Sequence, residues 1–124
     1  MALPEILTTN LQEYLDREEI IQETIRQIEK DFSMFGVEVE FSGNLCEAYL
    51  ILHRQLVAQV HELLSTNAEL LMSILYQIDI SGRDLARSRT FFPDYSQTEL
   101  IAHEIIFRDL KKVLFRRYFR QHPS

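Results

Sequence analysis

A chain of 124 residues, 46% hydrophobic and 26% charged, has room for one domain with a real core and is not the composition of a disordered polymer. Three Gly and three Pro are too few for the tight turns of an all-β fold, and no apolar run approaches the roughly 18–20 residues that cross a membrane. The net charge of −6 is unevenly spread: residues 1–47 hold 11 acidic and 3 basic groups, whereas residues 83–124 hold 5 and 9. Either the first and last helices lie side by side with complementary faces, or the basic end meets an acidic partner or the acidic end of a second copy.

The start, Met-Ala-Leu-Pro-Glu, has no basic region followed by an apolar stretch, so no signal peptide is expected. The single Cys46 cannot form an internal disulfide. Both features point to the cytoplasm.

The first element is the most regular. Leu11, Tyr14, Glu18, Ile21, Ile25, Ile28, Phe32 and Phe35 follow spacings of three and four, and only Glu18 breaks the apolar run. That period predicts one long helix that buries a stripe against other helices. It begins near Pro4 or after Thr8-Thr9-Asn10 and stops at Gly36. About 25 residues would span on the order of 38 Å, long enough to project or to pair with another chain. A carboxylate on such a seam is costly unless it sits at the solvent edge or is paired.

Residues 37–41, Val-Glu-Val-Glu-Phe, alternate with the strand period. No second alternating run exists to pair with them, so they form either an extended loop or a strand pair with a second copy.

Asn44-Leu-Cys-Glu47 resembles a capping box, and the second helix then presents Leu45, Tyr49, Leu52, Leu56, Val60 and Leu63 on one face. Thr66-Asn-Ala-Glu69 reads as another box that splits this helix from the next or marks a kink. The third helix, with Leu70, Leu71, Ile74, Leu75 and Ile78, is apolar around most of its circumference and is expected to be the most buried element. Ser81-Gly-Arg-Asp84 starts a short helical turn. Residues 88–96 read as a connecting loop whose Phe91, Phe92 and Tyr95 tuck under the bundle.

Ser96-Gln-Thr-Glu99 is the best capping box in the chain. The last helix follows, with Leu100, Phe107, Leu110, Leu114 and Tyr118 along one face and Ile101, Ile105 and Ile106 broadening it. Its end is basic, and Arg108, Lys111, Lys112, Arg116, Arg117 and Arg120 form the candidate interaction surface.

The stretch Leu75-Tyr-Gln-Ile-Asp79, the polar turn with Ser81, and Glu104-Ile-Ile-Phe-Arg-Asp-Leu-Lys-Lys112 together resemble an uncharacterised family of small all-helical bacterial proteins. The resemblance covers residues 68–117. It implies a helical fold and a bacterial source, and it brings no activity and no functional residues.

Catalytic motifs are thin. A di-iron bundle needs Glu-x-x-His on two helices, and none occurs here. Histidine phosphotransfer domains place a Lys and a Gly after the reactive His, which His53 lacks, and His103 is followed by the repelling Glu104. Cys46 has no His close in sequence, and three Gly cannot make a phosphate loop of the usual form.

The expectation is therefore a single all-α domain over residues 1–124: a small helical bundle of four main helices plus a short connecting helix, with a long N-terminal helix. Its expected role is a non-enzymatic protein-protein interaction or regulatory module without a cofactor. A homodimer through the first helix or residues 37–41 is expected, and an acidic protein is the other candidate partner. One rival is nucleic-acid binding by the basic last helix, with Arg83, Arg87 and Arg89 nearby. The other is a ligand or metal binder in the bundle core around Glu18, His61 and His103.

Overall fold

The apolar spacing of the first third of the chain produces a helix, α1, over Glu18–Ser33. The computed structural model describes residues 17–39, 41 and 48–121. The Leu11 and Tyr14 positions of the seam, and every proposed start of the first helix before residue 17, lie outside the described residues. Within α1, Ile21, Ile28 and Phe32 are fully buried, and Ile25 packs against the same core. Glu18 is exposed at the first turn, where it and Glu19 face the positive end of the helix dipole. The break in the seam is thus the solvent-edge case.

The helix stops where the sequence says it must. Gly36 has φ 75°, a left-handed conformation open to a residue without Cβ. Its amide donates to the Ser33 carbonyl and the Val37 amide donates to the Phe32 carbonyl, both hydrogen bonds of a Schellman closure. Beyond it, Val37, Val39 and Phe41 lie on the bundle with Val39 buried, whereas Glu38 is exposed. The alternation is therefore that of an extended loop laid on its own core. No strand occurs among the described residues.

Helix α2 spans Ala48–Thr66 and buries Leu52, Leu56, Val60 and Leu63. The Asn44–Glu47 box, Leu45 and Cys46 lie outside the described residues. Helix α3 spans Ala68–Ile78, and its cap is Asn67, one residue later than the sequence suggests. The Asn67 side chain accepts from the Leu70 amide at 3.1 Å, while the Thr66 hydroxyl turns back to the Glu62 carbonyl. At its far end Asp79 takes the left-handed position, φ 71°, of a second Schellman closure in which the Ile80 amide reaches the Leu75 carbonyl.

Helix α4 spans Gly82–Phe91 behind a complete Ser81–Asp84 capping box. It runs four residues, 88–91, into the stretch expected as a loop, where Ser88 is buried and its hydroxyl donates to Glu104 of the last helix. Phe92, preceding Pro93, leaves the helical region at φ −130° and ψ 67°. Phe92 and Tyr95 are half-buried and stack on each other, whereas Phe91 is exposed, contrary to the expectation that all three tuck under the bundle.

Helix α5, Gln97–Gln121, is the longest described element at 25 residues. Its box is intact: the Ser96 amide donates to Glu99 Oε1 at 2.9 Å, and the Glu99 amide donates to Ser96 Oγ at 3.2 Å. All residues from Leu100 to Ile106 are buried, because α5 packs against each of the other four helices. That makes α5, and not α3, the central element; α3 leaves Met72 and Tyr76 out in water. The expected all-α bundle is what forms, and among the described residues no helix is long and apolar enough to cross a membrane.

Candidate interaction surface: a basic groove along the last helix

The unequal charge of the two ends is resolved first by α1 and α5 lying antiparallel. Glu23 of α1 pairs with Arg116, Arg117 and Arg120 of α5 at 3.1–3.4 Å, and two turns later Asp31 pairs with Lys112 at 3.6 Å. Between them Arg116 donates to Gln27 Oε1 at 2.9 Å. At the other end Arg108 pairs with Asp84 of α4 at 3.1 Å. Arg108, Lys112, Arg116 and Arg120 are thus a row at every fourth position, each held by a carboxylate of another element. Partial burial works to raise the Glu23 carboxyl, but its three arginines outweigh that and hold it below its ordinary value. Burial likewise works to raise Asp84, and bonds from Ser81 together with Arg108 bring it down.

This row and its neighbours enclose an open groove of about 820 Å³. Its apolar surface comes from Ile78 at the end of α3 and from Phe115 and Phe119 on α5. The two phenylalanines are 52% and 46% exposed with ring centroids 4.7 Å apart. Lys30 of α1 and Lys111 of α5 also line it. Lys30 has no ion-pair partner among the described residues, and the Lys111 ammonium lies 5.3 Å from the centre of the Phe107 ring. Asp79, in its left-handed turn, is the one carboxylate in the lining.

Beneath the groove two acids are buried between α1 and α5. Asp31 and Asp109 are 3% and 0% exposed, and Lys112 Nζ lies 3.6 Å from one oxygen of each. Among the described residues no N–H donor is placed on either oxygen of Asp109 or on Asp31 Oδ2; Gln27 donates to Asp31 Oδ1 at 3.0 Å. One half-exposed ammonium cannot compensate two desolvated carboxylates at that distance. Burial first, and then the adjoining carboxylate of Asp31, pushes Asp109 up to about 9, against which Lys112 works. Asp109 is therefore neutral at pH 7, and seven cations, Arg117 included, outnumber the four other acidic side chains around them, Glu23, Asp31, Asp79 and Asp84. The groove is locally positive on a chain of net charge −6.

Five of the six surface residues read from the sequence, Arg108, Lys111, Lys112, Arg116 and Arg120, line this groove. Arg117 turns aside to Glu23 and to the Glu19 carbonyl. Sequence reasoning missed Lys30, because it sits on another helix, and missed the role of Phe115 and Phe119, whose spacing of four alongside the cation row was the available signal. Arg83 and Arg87 are exposed on α4, and Arg89 is tied to the Tyr95 carbonyl; none of the three lines the groove.

The proposed core site does not assemble. Glu18 and His61 are exposed, whereas His103 is fully buried. His103 belongs to an aromatic cluster: Tyr49 Oη lies 2.8 Å from its Nδ1 and 3.4 Å from Tyr95 Oη, and the His53 ring is stacked between Tyr49 and Tyr95. His53 Nε2 sits 2.8 Å from the Glu99 carbonyl. Burial, with the adjacent His53, lowers His103 to about 4, so its ring is neutral at pH 7. Among the described residues no three His, Cys, Asp or Glu side chains group as metal ligands. No protein-family model, no curated protein and no solved structure matches the chain.

Proposed function

We propose that this protein is a non-enzymatic helical interaction module that docks an acidic protein on the α5 groove. The observation that carries the reading is the combination of half-exposed Phe115 and Phe119 with a surplus of cations in one concave surface. Nucleic acid is the weaker occupant. Tracking a phosphate backbone needs several uncommitted cations on one face, and Arg108, Lys112, Arg116 and Arg120 are already engaged within the chain. A protein partner needs fewer charges and gains from covering the phenylalanines.

A second copy is the other protein that fits the charge, through its acidic α1 end. The joints expected from the sequence do not favour it: the apolar stripe of α1, and Val37, Val39 and Phe41 after it, pack on their own bundle. Light scattering after size exclusion at low and high salt decides this, since a salt-sensitive dimer would make the second copy the partner.

The test of the main reading is capture on the immobilised chain beside a Lys30→Glu/Lys111→Glu variant. Both lysines are exposed, so the variant keeps its fold. The reading stands if an acidic protein binds the native chain, loses at least about tenfold in affinity on the variant, and rebinds as a purified component. It falls if every retained protein binds both chains equally, or if an oligonucleotide at low salt binds and competes for the groove.

A further inference from the structure

The shape of the groove specifies more than charge. Its α5 wall runs from Arg108 to Arg120, which at 1.5 Å per residue is about 18 Å, or about three helical turns. Spread over that length, 820 Å³ corresponds to a mean cross-section of about 45 Å², roughly half that of a helix with its side chains. An occupant of this length and depth is a helix sunk to half its girth.

The lining is ordered in rows that suit such an occupant. Phe115 and Phe119 are four apart on α5, so their rings form one ridge with Lys111 a turn before it. Ile78 adds apolar surface from α3 and Lys30 adds a cation from α1. An apolar stripe with carboxylates beside it would meet the phenylalanine ridge with its stripe and the two lysines with its acids.

We infer that the groove seats a single amphipathic acidic helix of the partner, about three turns long, with its apolar stripe on Phe115, Phe119 and Ile78 and its carboxylates toward Lys30 and Lys111. This rests on the reading of the groove as the docking surface for an acidic protein.

The experiment uses the full chain and two labelled synthetic 18-residue peptides of Leu, Glu, Ala and Gln, with blocked ends and equal composition. In one, Leu recurs at three and four spacing with Glu flanking the stripe; in the other, both are spread around the helix. Fluorescence anisotropy is expected to show the patterned peptide binding at least tenfold tighter, with Phe115→Ala/Phe119→Ala and Lys30→Glu/Lys111→Glu each removing most of that advantage. Circular dichroism checks that the variants remain folded. Equal binding of both peptides overturns the helix inference and leaves the acidic-partner reading in place. Binding of neither peptide overturns both. Tighter binding of anionic vesicles than of the patterned peptide overturns the choice of protein as the partner class.

Discussion

Replacing Asp109 by Asn tests the physics under the groove without touching its surface. The unfolded chain gives up the Asp109 proton near the ordinary 3.8, while the folded chain holds it until about 9. Between those values the native state binds the extra proton, so stability falls as pH rises across the window and levels off above it. From 3.8 to pH 7, at about 1.4 kcal/mol per pH unit, the cost reaches about 4 kcal/mol, which is the ceiling for what the substitution recovers. Asn carries no proton to lose and can point an N–H toward Asp31 where neutral Asp109 holds its O–H. Urea unfolding of native and Asp109→Asn chains at pH 4, 7 and 8.5 is the assay. A gain of at least about 1 kcal/mol at pH 7, growing at pH 8.5 and closing toward zero at pH 4, is the expected result. An Asn chain that is less stable than the native one at pH 7 would refute the reasoning, because it would mean that an ionised Asp109 paired with Lys112 holds the joint together.

Other expectations follow from single contacts. Asp79→Gly relieves a left-handed residue at the end of α3 and should stabilise the fold by about 0.5–1 kcal/mol in urea unfolding. Ser96→Ala removes the hydroxyl that caps α5 and should cost about 1 kcal/mol, read the same way. Tyr49→Phe takes the 2.8 Å hydroxyl contact from the buried His103 ring and should cost about 1–2 kcal/mol in thermal or urea unfolding. Glu18→Leu, at an exposed first-turn position, should change stability by less than about 0.5 kcal/mol; a larger loss would show that the carboxylate is paired.

Elements whose stability is local were legible. Ser81–Asp84 and Ser96–Glu99 mark helix starts because both hydrogen bonds of each box lie within four residues, and Gly36 marks an end because only a left-handed residue closes that turn. The rank order of burial was not legible. Leu70–Ile78 is as apolar as the start of α5, and what separates them is that α5 touches four helices while α3 keeps a wet face with Met72 and Tyr76. The charge asymmetry offered the meeting of the two ends as one of two readings, and it did not say which acid meets which base. Glu23 collects three arginines because two antiparallel helices bring one face of α1 opposite Arg116, Arg117 and Arg120, a register set by packing. The candidate surface was read from one helix, so Lys30 and Ile78, donated by two others, were out of reach. The period-two pattern at 37–41 was real, yet the surface that it answers to is the bundle itself.

The Glu23 cluster also has a mechanical meaning. No residue from 115 to 120 is buried, and the arginines of these last turns are tied to α1 by polar contacts: Arg116, Arg117 and Arg120 to Glu23, Arg116 to Gln27 and Arg117 to the Glu19 carbonyl. That end should behave as its own cooperative unit, opening and closing at a free energy well below that of global unfolding and more often as ionic strength rises. The two phenylalanines ride on this unit, so the width of the groove there is governed by an electrostatic latch while its Arg108 end is clamped by the core. In amide exchange, residues 115–120 should lose protection with added salt while residues 100–110 keep theirs.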